Sequence, residues 1–555
     1  MKSKEKNIDI WKIFTIVILI GLLLFLVYPI IRLLLSSVYV KGEGFTFNEF
    51  HKFFSKNYYF QTLLNSLKIS SLATISTILL ATPIAYIMSM YKIKGNTALN
   101  IIIVIASMSA PFIGAYSWIL LLGRSGIITE FLSNVFSIKI PEIYGFKGIL
   151  LVFSLQLYPL IFLYAKSAFE NIDASVIEAS ENLGCVGLRR FFKIILPLIV
   201  PSLLAGSLLV FMRCMSDFGT PMLIGEGYRT FPVLIYNEFV GEVGTNQSFA
   251  SAIAVIAIIF TSLVFIIQKK IAEKSAYSSN FLNPVAKKQL KGPANIIAHL
   301  LVYIVVFLSI LPQIYLTYTS FKKTSGKIFI DGYSLKSYQT AISRLGNSII
   351  NSIVFPIIAL LVIIVLSLII SYLVVRRKNF FTNLIDIFTM IPFILPGVVI
   401  GISLLKSFAN GFGRSGFMAM GGTIQIIIIS FVIRRMPYTL RSASSTLQQI
   451  PIVIEEAAIS LGASKLKTFL KITVPMMASG LISGAILSFV TLISELSTSI
   501  LLTNVKTKTM TVAIYTEVVR GNYGVAAALS TLLTIFTVIA LVGFNLLGKN
   551  KNTNI

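Results

Sequence analysis

The chain is 555 residues long, 56% hydrophobic and only 12% charged, where soluble domains run about 45–50% and about 25%. It lacks the polar residues to cover a water-soluble fold of this size, which excludes a soluble globular protein. Lys and Arg outnumber Asp and Glu 47 to 21; with no basic face of interleaved aromatics, that excess reads as loop charge on a membrane protein and not as nucleic-acid binding.

In chain order, Lys2, Lys4 and Lys6 precede an apolar run from Ile13 to Ile31. The layout is similar to a signal peptide, but the run outlasts the about 7–15 apolar residues of one and no small-x-small cleavage site follows. An uncleaved first span is predicted. At about 20 mostly apolar residues per helix, twelve spans are predicted: 11–38, 62–90, 98–122, 147–168, 197–222, 249–268, 295–320, 347–375, 382–408, 422–440, 476–503 and 523–547. The fold class expected is all-α, a polytopic membrane protein of about twelve transmembrane helices. Pro83, Pro111, Pro356, Pro392 and Pro396 fall inside spans, which membrane helices tolerate when neighbours satisfy the freed carbonyls.

Orientation follows from basic residues. Lys92 and Lys94, Lys269-Lys270, Arg376-Arg377-Lys378 and Arg434-Arg435 fall on links that are cytoplasmic if both termini are inside. One outer loop, 321–346, runs against this with Lys322, Lys323, Lys327, Lys336 and Arg344. Only Cys185 and Cys214 occur, so neither a disulfide framework nor a thiolate metal cage is available, and His51 and His299 stand far apart in the chain.

The chain repeats itself. Glu178-Ala179-Ser180-x-x-x-Gly184, running through Ile194 to Pro197, returns 278 residues later as Glu456-Ala457-Ala458-x-x-x-Gly462, running through Ile472 to Pro475. Asn65-Ser66, Tyr86 and Lys92 match Asn351-Ser352, Tyr372 and Lys378 at an offset of 286, and Gly123-Arg124-Ser125-Gly126 matches the segment from Gly413 to Gly416 at 290. Asp217 matches Glu495 at 278. The fall in offset places an insertion in the first half, most naturally in the loop 127–147. An even number of spans separates the two Glu-Ala motifs, so the repeats are parallel, six helices each. The domains predicted are a first repeat, 1–268, with its motif loop at about 169–196; a polar cytoplasmic linker, 269–294; and a second repeat, 295–555, with its loop at about 443–475.

Within each motif the residues before Gly read as a short helix whose small side chains suit close approach to another surface. Gly184 and Gly462 then permit a turn that a Cβ would resist. A basic amphipathic stretch follows (Arg189, Arg190, Lys193; Lys465, Lys467, Lys471), and Pro197 and Pro475 are expected to open the next span. With this pattern in both halves, the chain resembles the membrane permeases of binding-protein-dependent ABC importers, whose "EAA" loop has the same Glu-Ala-Ala, Gly, Ile-x-Leu-Pro order. Ser180 and Val474 depart mildly from it. The resemblance implies a type I importer permease in the cytoplasmic (inner) membrane of a prokaryote. Its partners would be the lipid bilayer, two copies of an ABC ATPase subunit and an extracytoplasmic solute-binding protein. It also implies that Glu178, Ala179, Ser180 and Gly184, with Glu456, Ala457, Ala458 and Gly462, form the loops that couple to the ATPases.

Asp217-Phe218-Gly219-Thr220-Pro221 and the run from Glu495 to Leu502 look like the fused twelve-span permeases of ferric iron uptake. Related fused permeases serve thiamine, aminoethylphosphonate or sugar phosphates. Ionisable residues inside spans point to function by default, so Asp217, Thr220, Glu495, Ser497 and Thr498 are candidates for the translocation pathway. Arg213 stands four residues before Asp217, leaving pathway lining and a local ion pair both open; Glu495 has Thr491 there, which favours the pathway. The chain has no phosphate-binding loop, no HExxH and no Ser/His/Asp constellation, so it is read as a transport subunit and not an enzyme, with no cofactor of its own and ATP used by a partner. An ion-coupled secondary transporter does not account for paired coupling loops, and a channel would call for a selectivity element.

Overall fold

The computed structural model describes residues 10–40, 44–108, 111–241, 246–274, 285–325, 328–411 and 416–549. The middle of the linker (275–284), residues 413–415 of the second Gly-Arg-Ser-Gly element and both chain ends lie outside the described residues. Long apolar helices make up most of what is described. Ten are long and apolar enough to cross a membrane, or eleven if Phe380–Ile394 and Gly397–Phe408, bent by 113°, form one span.

Hydropathy predicts twelve, and the count differs at two places, the bent pair over 382–408 and the helix over 422–440. The span predicted over 98–122 has its counterpart in Phe112–Phe136, shifted towards the C-terminus. Over 422–440 one helix does form, Ile424–Gln449, but Arg434 and Arg435 near its middle shorten its apolar run.

Three helices contain a single π-helical turn, at Leu23–Val27, Phe191–Ile195 and Phe469–Thr473. Each turn ends two residues before a proline: Pro29, Pro197 and Pro475. Proline has no N–H to donate, and its ring clashes with the carbonyl of residue i−4 in a regular helix. A locally wider turn relieves that clash and lets the helix continue. The spans expected to open at Pro197 and Pro475 therefore begin further back, at Gly187 and Lys465.

The chain divides into two compact units. One comprises residues 1–49, 246–255 and 323–555; the other comprises 50–245 and 256–322. In the first unit Lys336–Arg376 packs along Ile424–Gln449, which packs in turn on Val474–Ile493. Small residues allow that approach, as membrane helices commonly require. A Cβ on Gly484 would stand 2.7 Å from the Thr439 Cα, Ser442 Oγ donates to the Gly480 carbonyl at 2.6 Å, and the Thr439 and Ser488 hydroxyls pair at 2.7 Å. In the second unit Asn57–Met90 packs along Phe146–Glu170, with Leu196–Ser216 against both.

The units cut across the sequence repeats in one respect. The first span, Ile10–Val38, packs against Phe380–Ile394 and Gly397–Phe408 of the second repeat; Pro293–Ser320, which opens the second repeat, packs against Asn96–Met108 and Pro111–Leu122 of the first. Trp11 anchors the former, 3% exposed, with its ring 4.5 Å from Tyr372 and 5.1 Å from Phe469. Trp11→Ala should therefore cost about 3–5 kcal/mol, read as a lowered midpoint of thermal unfolding in detergent. Ile16→Ala, at a side chain 58% exposed in the same helix, should leave the midpoint nearly unchanged.

Candidate functional site

The two Glu-Ala motifs fold into near-identical loops. The first short helix, Ala174–Asn182, starts at Asp173, whose carboxylate accepts from the Ser175 N–H at 2.9 Å. The second, Ile452–Ser460, starts after Pro451. Both end in the same hydrogen-bonded turn. The Cys185 N–H donates to the Ser180 carbonyl (2.8 Å) and Gly184 N–H to Glu181 (2.9 Å); Ala463 N–H donates to Ala458 (3.1 Å) and Gly462 N–H to Ile459 (2.9 Å). This is the Schellman closure, which needs a left-handed residue one position past the residue that caps the helix. Gly184 and Gly462 supply it at φ 72° and 89°. A Cβ would meet nothing within 4 Å at either, so the backbone angle, and not close packing, demands glycine.

The exposed faces correspond as well. Glu178, Ala179, Glu456 and Ala457 are exposed, Ala458 is half-buried and Ser180 is buried. Neither Glu178 nor Glu456 has an ion-pair or hydrogen-bond partner among the described residues. Between each short helix and its glycine stands a leucine that is almost wholly exposed, Leu183 at 85% and Leu461 at 89%. The sequence reading passed over both leucines, although they keep the same 278-residue offset as the rest of the motif.

Beneath this shared surface the supports differ. The second loop is tied by a buried ion pair: Glu455 accepts from Arg376 Nε at 2.9 Å and from the Tyr372 hydroxyl at 3.3 Å. Arg376 also donates to the Ile450 carbonyl at 2.7 Å. The first repeat has Ile177 where the second has Glu455 and Met90 where it has Arg376. Its support is apolar and aromatic, with Tyr86 5.0 Å from Phe191 and 5.4 Å from Phe169.

Asp217 and Glu495 hold equivalent places. The Asp217 carboxylate accepts from Thr220 N–H at 2.8 Å and so caps the short helix Gly219–Ile224. Glu495 accepts from Thr498 N–H at 3.2 Å and from the Thr498 hydroxyl at 3.3 Å. Thr220 and Thr498 are both fully buried, and Ser497 is half-buried. Glu495 itself is 3% exposed and is gripped by two cations from another helix, Arg434 Nη1 at 2.6 Å and Arg435 Nη2. Arg434 and Arg435 were expected on a cytoplasmic link; they lie instead inside Ile424–Gln449, with side chains 11% and 14% exposed. Their partner is 61 and 60 residues away in sequence, which no local spacing reveals. One carboxylate against two guanidiniums leaves the cluster one positive charge in excess.

The arginine needs room, and glycine provides it: a Cβ on Gly397 would fall 1.5 Å from Arg434 Nη1. The first repeat carries Gln156 at the position of Arg434. Its amide presses on Gly114, where a Cβ would fall 1.6 Å from Nε2. The steric arrangement is thus kept while the charge is lost.

Two parallel repeats of long apolar helices, each with an exposed Schellman-closed loop on a basic helical stem, define a fused membrane permease. The chain belongs to the family described as binding-protein-dependent transport system inner membrane component, which matches it twice, over residues 69–276 and 363–551. It is thus an ABC importer permease, a multi-pass inner-membrane protein. It is 28% identical over 543 residues to the ferric transport system permease protein FbpB of Actinobacillus pleuropneumoniae, covering 95% of this chain and 77% of that one. It is 28% identical over 506 residues to the putative ferric transport system permease protein FbpB 1 of Haemophilus influenzae, covering 88% and 78%. A putative 2-aminoethylphosphonate transport system permease, PhnU of Salmonella choleraesuis, is 25% identical over 221 residues, covering 39% and 77%.

Removing the charge of Glu495 strands two buried guanidiniums, and breaking a buried pair from one side costs about 3–5 kcal/mol. Glu495→Gln should therefore sharply lower the yield and thermal midpoint of the detergent-solubilised protein. Asp217→Asn, at a half-buried helix cap where Asn serves about as well as Asp, should leave the midpoint nearly unchanged. Equal midpoints for the two variants would contradict this account of the cluster.

Proposed function

We propose that this chain is the membrane conduit of an ATP-driven importer of ferric iron, loaded by an extracytoplasmic binding protein and driven by two ATPase subunits seated on its two Glu-Ala loops. The observation that carries the coupling role is the pair of loops with unpartnered Glu178 and Glu456, bare Leu183 and Leu461, and identical closing turns. Two equal surfaces suit a symmetric ATPase dimer, whose closure would drive both loops together and turn the helices rooted in them. ATP would be bound and hydrolysed by those partners, and this chain would bind no cofactor of its own. Both termini and the linker 269–294 are assigned to the cytoplasm from the basic links.

Asp217, Thr220, Ser497 and Thr498 are assigned to the conduit face of each repeat, with Glu495 holding Arg434 and Arg435 beside it. Iron as cargo is supported by the two ferric-transport relatives. Among the described residues no three His, Cys, Asp or Glu side chains group to hold a metal ion. Ferric iron would then pass through the conduit without a fixed ligand cage, its specificity set by the binding protein. A phosphonate or phosphorylated anion is the second reading, favoured by the excess positive charge at Glu495 and by the aminoethylphosphonate relative.

Two experiments test this. Gly184→Val with Gly462→Val forces a β-branched residue to positive φ at both turns, a strain of about 1–2 kcal/mol each. The double variant should insert normally, yet its ATP hydrolysis should no longer move solute in reconstituted vesicles; undiminished uptake would remove the coupling assignment. In the same vesicles, with ATPase and binding protein present, radiolabelled ferric iron should enter only with ATP. No iron entry alongside uptake of a phosphonate would move the solute to the second reading.

A further inference from the structure

The first coupling loop lacks the buried tie of the second, and the linker between the repeats reaches it. Residues 285–290 run beside the C-terminal end of Asn57–Met90. The last carbonyls of a helix have no partner within it, and two here are met from the linker: the Lys288 N–H donates to the Met90 carbonyl at 2.9 Å, and Lys287 Nζ to Met88 at 2.9 Å. The Lys92 N–H returns a bond to the Lys288 carbonyl at 3.1 Å, making a short parallel bridge between Tyr91 and Lys288. Val285 and Leu290 pack on the apolar core below. From this anchored backbone the Lys288 ammonium extends to Glu181 Oε1 at 2.7 Å, in the short helix Ala174–Asn182, while Arg190 reaches the same oxygen at 2.5 Å. Lys288 first, then Arg190, hold the Glu181 carboxyl below the usual carboxylate range.

Met90 stands at the position of Arg376, and it is the Met90 carbonyl that the linker grips. The second repeat braces its loop from within, through Arg376 and Glu455; the first repeat offers Met90 and Ile177 at those places and receives a cation from outside. We propose that the linker segment 285–290 is a positioning strap for the first coupling loop, with Lys288 setting the loop's seat through Glu181 as Arg376 sets the second loop through Glu455. The inference rests on the coupling role assigned to these loops.

The test uses vesicles holding the permease with its ATPase and binding protein, reading solute imported per ATP hydrolysed. Lys288→Glu should lower that ratio about threefold to tenfold, inside the roughly twofold to thirtyfold range by which residues remote from either ligand modulate coupling. Thermal unfolding should hardly move, because Lys288 and Glu181 are 61% and 37% exposed. Lys288→Arg keeps the pair and should stay within about twofold of the parent. Lys291→Glu makes the same charge change at a lysine with no partner among the described residues, and should behave as the parent does. Lys288→Ala serves if the reversal blocks insertion. A parent-like ratio in Lys288→Glu, or an equal loss in Lys291→Glu, overturns the strap. In that case Gly184→Val with Gly462→Val still reports on the coupling role separately: uncoupling there leaves that role standing, and normal coupling there removes it too.

Discussion

A chain in hydrocarbon has no water to satisfy a backbone group that its own fold leaves unpaired, and each such group costs several kcal/mol. The irregular turns inside this protein's spans obey that constraint. The prolines at 29, 197 and 475 are each preceded by a widened turn that lets the helix run on. The two short helices outside the spans end in closures that pair their last carbonyls, at the cost of a left-handed residue that only glycine takes easily. The surface assigned to coupling therefore rests on a backbone requirement, which explains why glycine stands at both turns although open space surrounds each.

The repeats keep their geometry while exchanging the chemistry that supports it. Arg434 and Gln156 occupy one position and both lie against a glycine, yet only the arginine takes part in an ion cluster. Glu455 and Ile177 occupy another; one is tied by an ion pair and the other is packed in an apolar core. The exposed Glu, Ala and Leu positions of the loops show no such drift, as expected of a surface meeting the same partner twice.

Much of this was legible in sequence because the decisive signals are local. The Glu-Ala loops and their glycines follow from spacing, the parallel duplication from spacing and span count, and the all-α membrane fold from composition and the lengths of the apolar runs. What was not legible depends on long-range packing. Arg434 and Arg435 look like a basic link beside a membrane, because charge statistics take no account of a carboxylate 61 residues on. The packing of Ile10–Val38 against second-repeat helices cannot be read from hydropathy, which reports that a helix is apolar and not which neighbour it meets. Hydropathy also joins Phe380–Ile394 to Gly397–Phe408 as one span, since it does not register the 113° bend between two apolar segments.

The central claim is that both loops, and not one, are docking surfaces for the energy-supplying subunits. The most direct measurement places a photo-crosslinking residue at Leu183 or at Leu461 in the assembled importer and identifies the adduct by mass spectrometry. The account predicts an adduct to the ATPase subunit from each position, and none from Val505, which is equally bare at 88% exposed but lies far along the chain from either motif. An adduct from only one of the two leucines, or from neither, would contradict it.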